Sequence, residues 1–229
     1  MAGHPVQEFL LSEVEAHPRD LVPLAVARFA ISRQAVHHHL AGLLRDGLVG
    51  ADGRTQARRY RIAVLREIDE TLDQASMRRA DEVWQRRFDA GLEGVAANVR
   101  AIARFGFTEV VRNALEHSGA SELSARLRRT AVSLEIRIAD RGSGIFSGRA
   151  AALEIVQRES SSVAGRGLPA VARAFDSLLI AAGNEILHRE EREGRAAWRL
   201  ESIHARVPGT TVGMRIGLRS SRTLTVAEG

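Results

Sequence analysis

Residues 107–120 read F-T-E-V-V-R-N-A-L-E-H-S-G-A and place Glu109, Asn113 and His117 four residues apart. On an α-helix, residues at i, i+4 and i+8 project from one face, a turn apart. Val110, Val111, Ala114 and Leu115 fall on the other side, where they can pack inward. A helix that spends one side on a core and keeps an acid, an amide and an imidazole in a row forms one wall of a polar pocket. The remaining walls have to come from elsewhere in the chain.

Composition narrows the chemistry. The 229 residues suit one large or two small domains, and 45% apolar content is enough for real cores. Cysteine is absent, which excludes a disulfide scaffold, cysteine-ligated zinc, an iron–sulfur cluster and a cysteine nucleophile. All 33 basic residues are arginine, and the net charge is only +5. Without lysine there is no Walker-A phosphate loop, no lysine Schiff base and no kinase-type strand lysine. No apolar run approaches about eighteen residues, and no basic start precedes an apolar stretch, so a soluble, cytoplasmic protein without a membrane partner is expected.

The first sixty residues read as helix, helix, helix and hairpin. Helices are expected over 6–16, over 21–29 behind Asp20, and over 33–46 behind Ser32 as N-cap. In the third, Val36, Leu40, Leu43 and Leu44 point inward. A strand starts at 47–49, residues 51–54 turn, and 58–62 return. Within this order, S-R-Q-A-V-H-H-H-L-A-G-L-L-R-D-G-L-V resembles the winged helix–turn–helix family at Ser32, Ala35, Val36, His39, Leu40, Leu43, Gly47, Leu48 and Val49. The resemblance implies that Arg33, Gln34, His37 and His38 face base edges from the start of a recognition helix. It also implies that Arg54, Arg58 and Arg59, with Arg61, hold phosphates from the wing. Protein contact is the other use of the same fold. Consecutive helical residues point ~100° apart, so His37, His38 and His39 cannot share one metal ion.

Residues 64–103 read as a charged helical connector, with Leu65, Ile68 and Leu72 and then Trp84, Phe88 and Leu92 at helical spacing. Gly91 and Gly94 are expected to break it in two. It could serve as a dimer seam, as a signal helix, or simply pack on its neighbour. Beyond residue 104, strands are expected over 122–128 and 132–139, joined at 129–131. A loop over 141–147, a helix over 149–158 and a small-residue loop over 160–167 follow. Next comes a helix over 168–175 with Pro169 in its first turn, then strands over 177–182, 185–189, 196–203 and 211–218. The tail after residue 219 reads as loose. Helices segregated from a mixed sheet make this an α+β two-layer sandwich.

Four boxes stand in order: E-x-x-x-N-A-x-x-H at 109–117, D-R-G-S-G at 140–144 after a strand, G-R-G-L at 165–168 before a helix, and G-T-T-V at 209–212 entering a strand. Together, over residues 104–218, they resemble the GHKL or Bergerat-fold ATPases, which include histidine-kinase catalytic domains and anti-sigma kinases. The fold expected is therefore α+β: an N-terminal, mostly α winged helix over 1–63, the connector over 64–103, a two-layer α/β sandwich of the Bergerat type over 104–219, and a tail over 220–229. The resemblance implies that Asp140 accepts from the adenine amino group, with Thr210 on the same edge. Gly142 and Gly144 let the backbone pass under the base. Gly165, Gly167 and the helix start at Leu168 offer N–H groups to phosphates, with Arg166 in reach. Asn113 is implied as the magnesium ligand, Glu109 as the general base, and His117 as support on the triphosphate side.

The pairing of the two modules resembles bacterial proteins that join a DNA-binding module to an anti-sigma-like ATPase. Some of these carry a further STAS-like domain, which is not expected here because about ten residues follow the last expected strand. The function expected is an ATP-binding transcriptional regulator that takes ATP and Mg²⁺, in which nucleotide state modulates DNA binding. The alternative is an anti-sigma-type serine/threonine kinase acting on a separate protein. Slow ATP hydrolysis fits either. A sensor histidine kinase is not expected, because no histidine lies between His39 and His117 to serve as phosphoacceptor. Expected partners are DNA, a possible sigma factor or STAS-like protein, and a possible second copy of the chain.

Overall fold

Pro5 opens the first helix, α1 (Pro5–Glu13), at a position where its missing N–H costs nothing, and His4 Nδ1 accepts from the Val6 N–H at 3.3 Å. The structure is a computed structural model and describes residues 4–53, 58–146, 167–192 and 195–224. It divides into two units, residues 1–66 with 129–132, and residues 67–128 with 133–229.

In the first unit, α2 (Leu21–Phe29) ends on Ala30 at φ 52°, a left-handed residue that turns the chain sharply. Ser32 then caps α3 (Arg33–Arg45), its hydroxyl accepting from the Ala35 N–H at 3.1 Å. Strands β1 (Val49–Asp52) and β2 (Arg59–Ile62) pair antiparallel, Val49 opposite Ile62. Leu10, Leu21, Val36, Leu40, Tyr60 and Ile62 close one core among these elements.

The second unit is built on a five-stranded sheet in the order β3-β4-β5-β7-β6. Its first strand corrects the expected helical connector: residues Arg66–Asp73 form β3, not helix. Ile68 and Leu72 lie four apart, a spacing that fits a period of 2 as well as 3.6. The observed burial follows the period of 2, with Leu72 buried and Glu67, Asp69 and Thr71 exposed. Arg126 on β4 (Glu122–Arg129) reaches Asp69 and Glu67 across the strand pair.

Short helical pieces follow: α4 (Gln74–Arg78), α5 (Ala80–Val83), a π-turn over Trp84–Phe88 and a 3₁₀ turn over Asp89–Leu92. Gly94, at φ 74°, ends the run. The next helix, α6 (Ala97–His117), is 21 residues long and starts before residue 104. Trp84 stacks on Phe88 with ring centres 5.7 Å apart, and Phe107 of α6 lies 4.9 Å from Phe88. Arg100–Asp89 and Arg104–Asp81 ion pairs tie the same segment to α6.

Strand β5 (Ser133–Asp140) pairs with the C-terminal end, residues 211–217, of the long strand β7 (Arg195–Gly217), which forms a hairpin with β6 (Ser177–Arg192). Four separate strands were expected here; the structure has two, with register shifts at Gly183 taking up the irregularity. Between β5 and β6 stands α7 (Leu168–Ala174). The helix expected over 149–158 and the loop over 160–166 lie outside the described residues. The described start of the tail, residues 220–224, is a second correction. Asn98 donates to the carbonyls of Ser220 and Arg222 at 2.7 and 2.9 Å. Arg222 pairs with Asp176 and Glu191, and donates to the Arg173 carbonyl. Burial pushes the Glu191 carboxyl up, but its bonds to Arg222 and Arg189 outweigh that and leave it below the usual range. No helix among the described residues is long and apolar enough to cross a membrane.

Gly106 of α6 lies against Phe175 and Met214 in this core. A Cβ there would lie 2.4 Å from Phe175 Cε2 and 2.9 Å from Met214 Sδ, both fully enclosed side chains. Gly106→Ala should therefore lower the unfolding free energy by about 1–3 kcal/mol despite alanine's better helix propensity, as read by denaturant titration. In the first unit, burial together with the neighbouring His4 and His38 rings holds the His39 pKa below its ordinary value. The unfolded chain then binds that proton more readily, so stability falls as pH drops from about 6.5 through the folded value. His39→Gln should flatten the acid decline of the unfolding midpoint.

Candidate functional site

The C-terminal end of α6 meets the end of β5 with almost no space between their backbones. The Ser143 N–H donates to the Ser118 carbonyl at 2.8 Å, and the Ser143 hydroxyl donates to the His117 carbonyl at 3.3 Å. A Cβ on Gly142 would lie 2.0 Å from the Ser118 carbonyl oxygen. On the other side, a Cβ on Gly209, at φ 64°, would lie 2.2 Å from the Asp140 carbonyl oxygen. Gly144, at φ 80°, passes beside the Gly209 carbonyl. Three backbone segments thus meet where only glycine fits.

Around this junction opens a cavity of about 300 Å³, at the lower end of the range that small-molecule sites occupy. Its polar lining comes from Asn113, His117, Ser118, Asp140, Gly144 and Thr210. Val110, Ala114, Ile138, Ile145, Leu168 and Val212 supply its apolar walls. Four boxes far apart in the chain therefore contribute to one space.

Asp140 ends β5 and is 7% exposed. Its Oδ1 accepts from the Gly142 N–H at 2.8 Å and, more weakly, from the Thr210 N–H at 3.4 Å. These bonds fix the carboxylate plane and leave Oδ2 without a hydrogen-bond partner among the described residues. Thr210 Oγ1 accepts from the Ile145 N–H at 3.0 Å, so its own proton remains free to donate. Asn113 presents a buried amide whose Nδ2 has no partner among the described residues. Such an atom costs about 1–3 kcal/mol unless a ligand completes it. His117 lines the cavity from an exposed position, 3.8 Å from Glu116.

Glu109 is placed differently from its two row-mates. It is 5% exposed, faces the same side of α6 and does not line the cavity. Its carboxylate is ion-paired with Arg112, one turn on, and its Oε2 accepts from the Gly167 N–H at 2.7 Å. Gly167 immediately precedes Leu168, which forms part of the cavity wall. Gly142 sits just behind the lining, bonded to Asp140. Gly165 and Arg166 lie outside the described residues. Sequence reasoning missed Ser118, Ile145 and Arg112, and placed Gly209 in the fourth box without giving it a role. The Glu109–Arg112 spacing of three on a helix was the one available signal for a pair.

In the first unit, Arg33, Gln34, His37 and His38 are all exposed along one side of α3. Arg58 and Arg59 are exposed at β2, the Arg58 guanidinium 5.3 Å from the Tyr60 ring centre. Arg61 is ion-paired with Asp52 across the strands. Arg54 lies outside the described residues.

A family model described as a histidine kinase-like ATPase domain matches residues 70–189, just over half of the chain. The match begins within β3, so it includes residues 70–103 of the segment expected to be a connector. A search of curated proteins finds no match.

Gly142→Ala tests the junction. The added methyl group meets backbone rather than a movable side chain, so the loop after Asp140 must shift. The expected loss of unfolding free energy is about 1–3 kcal/mol, together with altered amide resonances for Ser118 and Ser143.

Proposed function

The chain belongs to the histidine kinase-like ATPase family, and from that premise we propose that its cavity binds ATP with magnesium and that nucleotide state controls DNA binding by the N-terminal unit. The observation that carries the nucleotide reading is one cavity lined both by the Asp140 carboxylate, whose hydrogen bonds engage Oδ1, and by Asn113, whose buried Nδ2 has no partner among the described residues. Asp140 would accept from the adenine amino group, with Thr210 donating to the same edge. Ile138, Ile145 and Val212 would enclose the faces of the base. Magnesium that arrives with phosphates needs only one or two protein oxygens; the Asn113 amide oxygen would be its ligand from α6, and the unpartnered Nδ2 would donate to a phosphate oxygen. The ion would neutralise phosphate charge.

The DNA half of the reading rests on the helix–helix–helix–hairpin order of the first unit and on its exposed basic side chains. Arg33, Gln34, His37 and His38 would meet base edges, and Arg58 and Arg59 would meet phosphates. Arg61, neutralised by Asp52, is the weakest phosphate contact of the set. Nucleotide can shift DNA affinity only if it binds the two DNA-binding states unequally. The reading places the protein in the cytoplasm, where both ligands are found. A sigma factor or STAS-like partner and a homodimer on DNA remain part of the proposal.

Calorimetric titration of the full chain should show MgATP binding. Asp140→Asn should weaken it at least about tenfold, because the new NH₂ group opposes the adenine donor. Absence of heat with MgATP would defeat the nucleotide reading. In gel-shift assays, Arg58→Ala and Arg59→Ala should each lower the salt slope of DNA binding by about one. DNA affinity that is the same with ATP, with ADP and with neither would defeat the control that we propose.

A further inference from the structure

Glu109 is the member of the helical row whose surroundings fit the expected role least. A group that activates a nucleophile needs a free oxygen facing the reacting atoms. Here the carboxylate is buried, is absent from the cavity lining, and has one oxygen on Arg112 and the other on the Gly167 N–H. Asn113, one turn further along α6, does line the cavity. The two side chains stand on one face, yet they address different things.

The bond to Gly167 has structural reach. Gly167 sits at φ 89° and ψ −167°, a conformation that is essentially restricted to glycine. Its carbonyl accepts from the Ala170 and Val171 N–H groups, both at 3.1 Å, so it begins the first turn of α7. Its N–H has one acceptor among the described residues, Glu109. That single charge-assisted bond ties the start of α7, and with it the Leu168 wall, to the middle of α6. Arg112 supplies a counter-charge to this buried carboxylate, and its own half-exposed guanidinium keeps contact with water.

We propose that Glu109 is a positioning residue: it anchors Gly167 and so sets the Leu168 wall of the cavity, and it does not act as the general base. The consequence for nucleotide rests on the function proposed above, whereas the anchor itself does not. An anchor needs only an acceptor oxygen at this place, which glutamine retains and alanine removes. A base needs the carboxylate, which both substitutions remove. The two roles therefore rank the variants differently.

Two measurements on the full chain separate them. In NMR-detected amide exchange without nucleotide, Glu109→Ala should speed exchange at Gly167 about tenfold, and Glu109→Gln only two- to threefold. In titrations with MgATP, Glu109→Ala should weaken binding about tenfold and Glu109→Gln two- to threefold. Equal Gly167 exchange in the parent chain and Glu109→Ala would overturn the proposal, whatever the nucleotide result. So would a Glu109→Gln chain that keeps most of its ATP affinity but loses about a hundredfold of a measurable turnover, since that pattern marks a general base. If the parent chain fails to bind MgATP while the exchange ranking holds, the nucleotide reading falls and the anchor stands.

Discussion

The second unit depends on a place where three stretches of backbone approach too closely to admit a Cβ. Ser118 at the end of α6, Gly142 after β5 and Gly209 within β7 meet there, and Asp140 is fixed among them. The contact is made by main-chain atoms, so its geometry does not depend on rotamers. It determines where the sheet end stands relative to the helix end, and the gap left beside it is the cavity. The glycines of the D-R-G-S-G and G-T-T-V boxes are thus needed first for packing, and their part in any ligand site follows from that.

Helix α6 answers to two demands at once. Val99, Ile102, Phe107 and Val111 are fully buried in the core, and Gly106 allows Phe175 and Met214 to approach. The polar row Glu109, Asn113 and His117 grades from buried to exposed along the same helix, as α6 leaves the core and reaches the cavity mouth. Chemistry follows this gradient. The deepest member is held by Arg112 and a backbone N–H, the middle one keeps an unpaired amide, and the last stands in solvent.

The helices of the first unit were legible from apolar periodicity and from Ser32, which caps α3, whereas Asp20 precedes α2 but turns its carboxylate to His17 and makes no capping bond. The four boxes were legible as a set, and six of the site residues expected from them, Asn113, His117, Asp140, Gly144, Leu168 and Thr210, do line one cavity. What could not be read was decided by distant contacts. Ile68 and Leu72 fit either period, and only the neighbouring strand β4, with Arg126 reaching Asp69, makes that segment a strand. Gly183 and Pro208-Gly209 look like strand ends in sequence, yet pairing carries β6 and β7 through them. Arg222 looks like part of a loose tail until Asp176 and Glu191 are found beside it. Glu109 shares a face with Asn113, but periodicity cannot tell a side chain that enters a cavity from one that stops at a backbone N–H behind it.

The two ends of the cavity are secured by different physics. At the Asp140 end, positions are set by the absence of room, and moving them means moving backbone. At the Leu168 end, Leu168, Val171 and Ala172 are buried in the core, but Gly167, which leads into them, is tied by one hydrogen bond to a carboxylate that is itself balanced by Arg112. A steric junction resists displacement steeply, whereas a single charge-assisted bond is worth about 1.5–3 kcal/mol and can be exchanged for another partner. Any ligand that fills this cavity therefore meets a rigid end and an adjustable one. On the reading proposed here, the rigid end recognises the base and the adjustable end faces the phosphates. Differences between nucleotide states would then be felt first at Gly167 and α7, rather than at the junction that defines the fold.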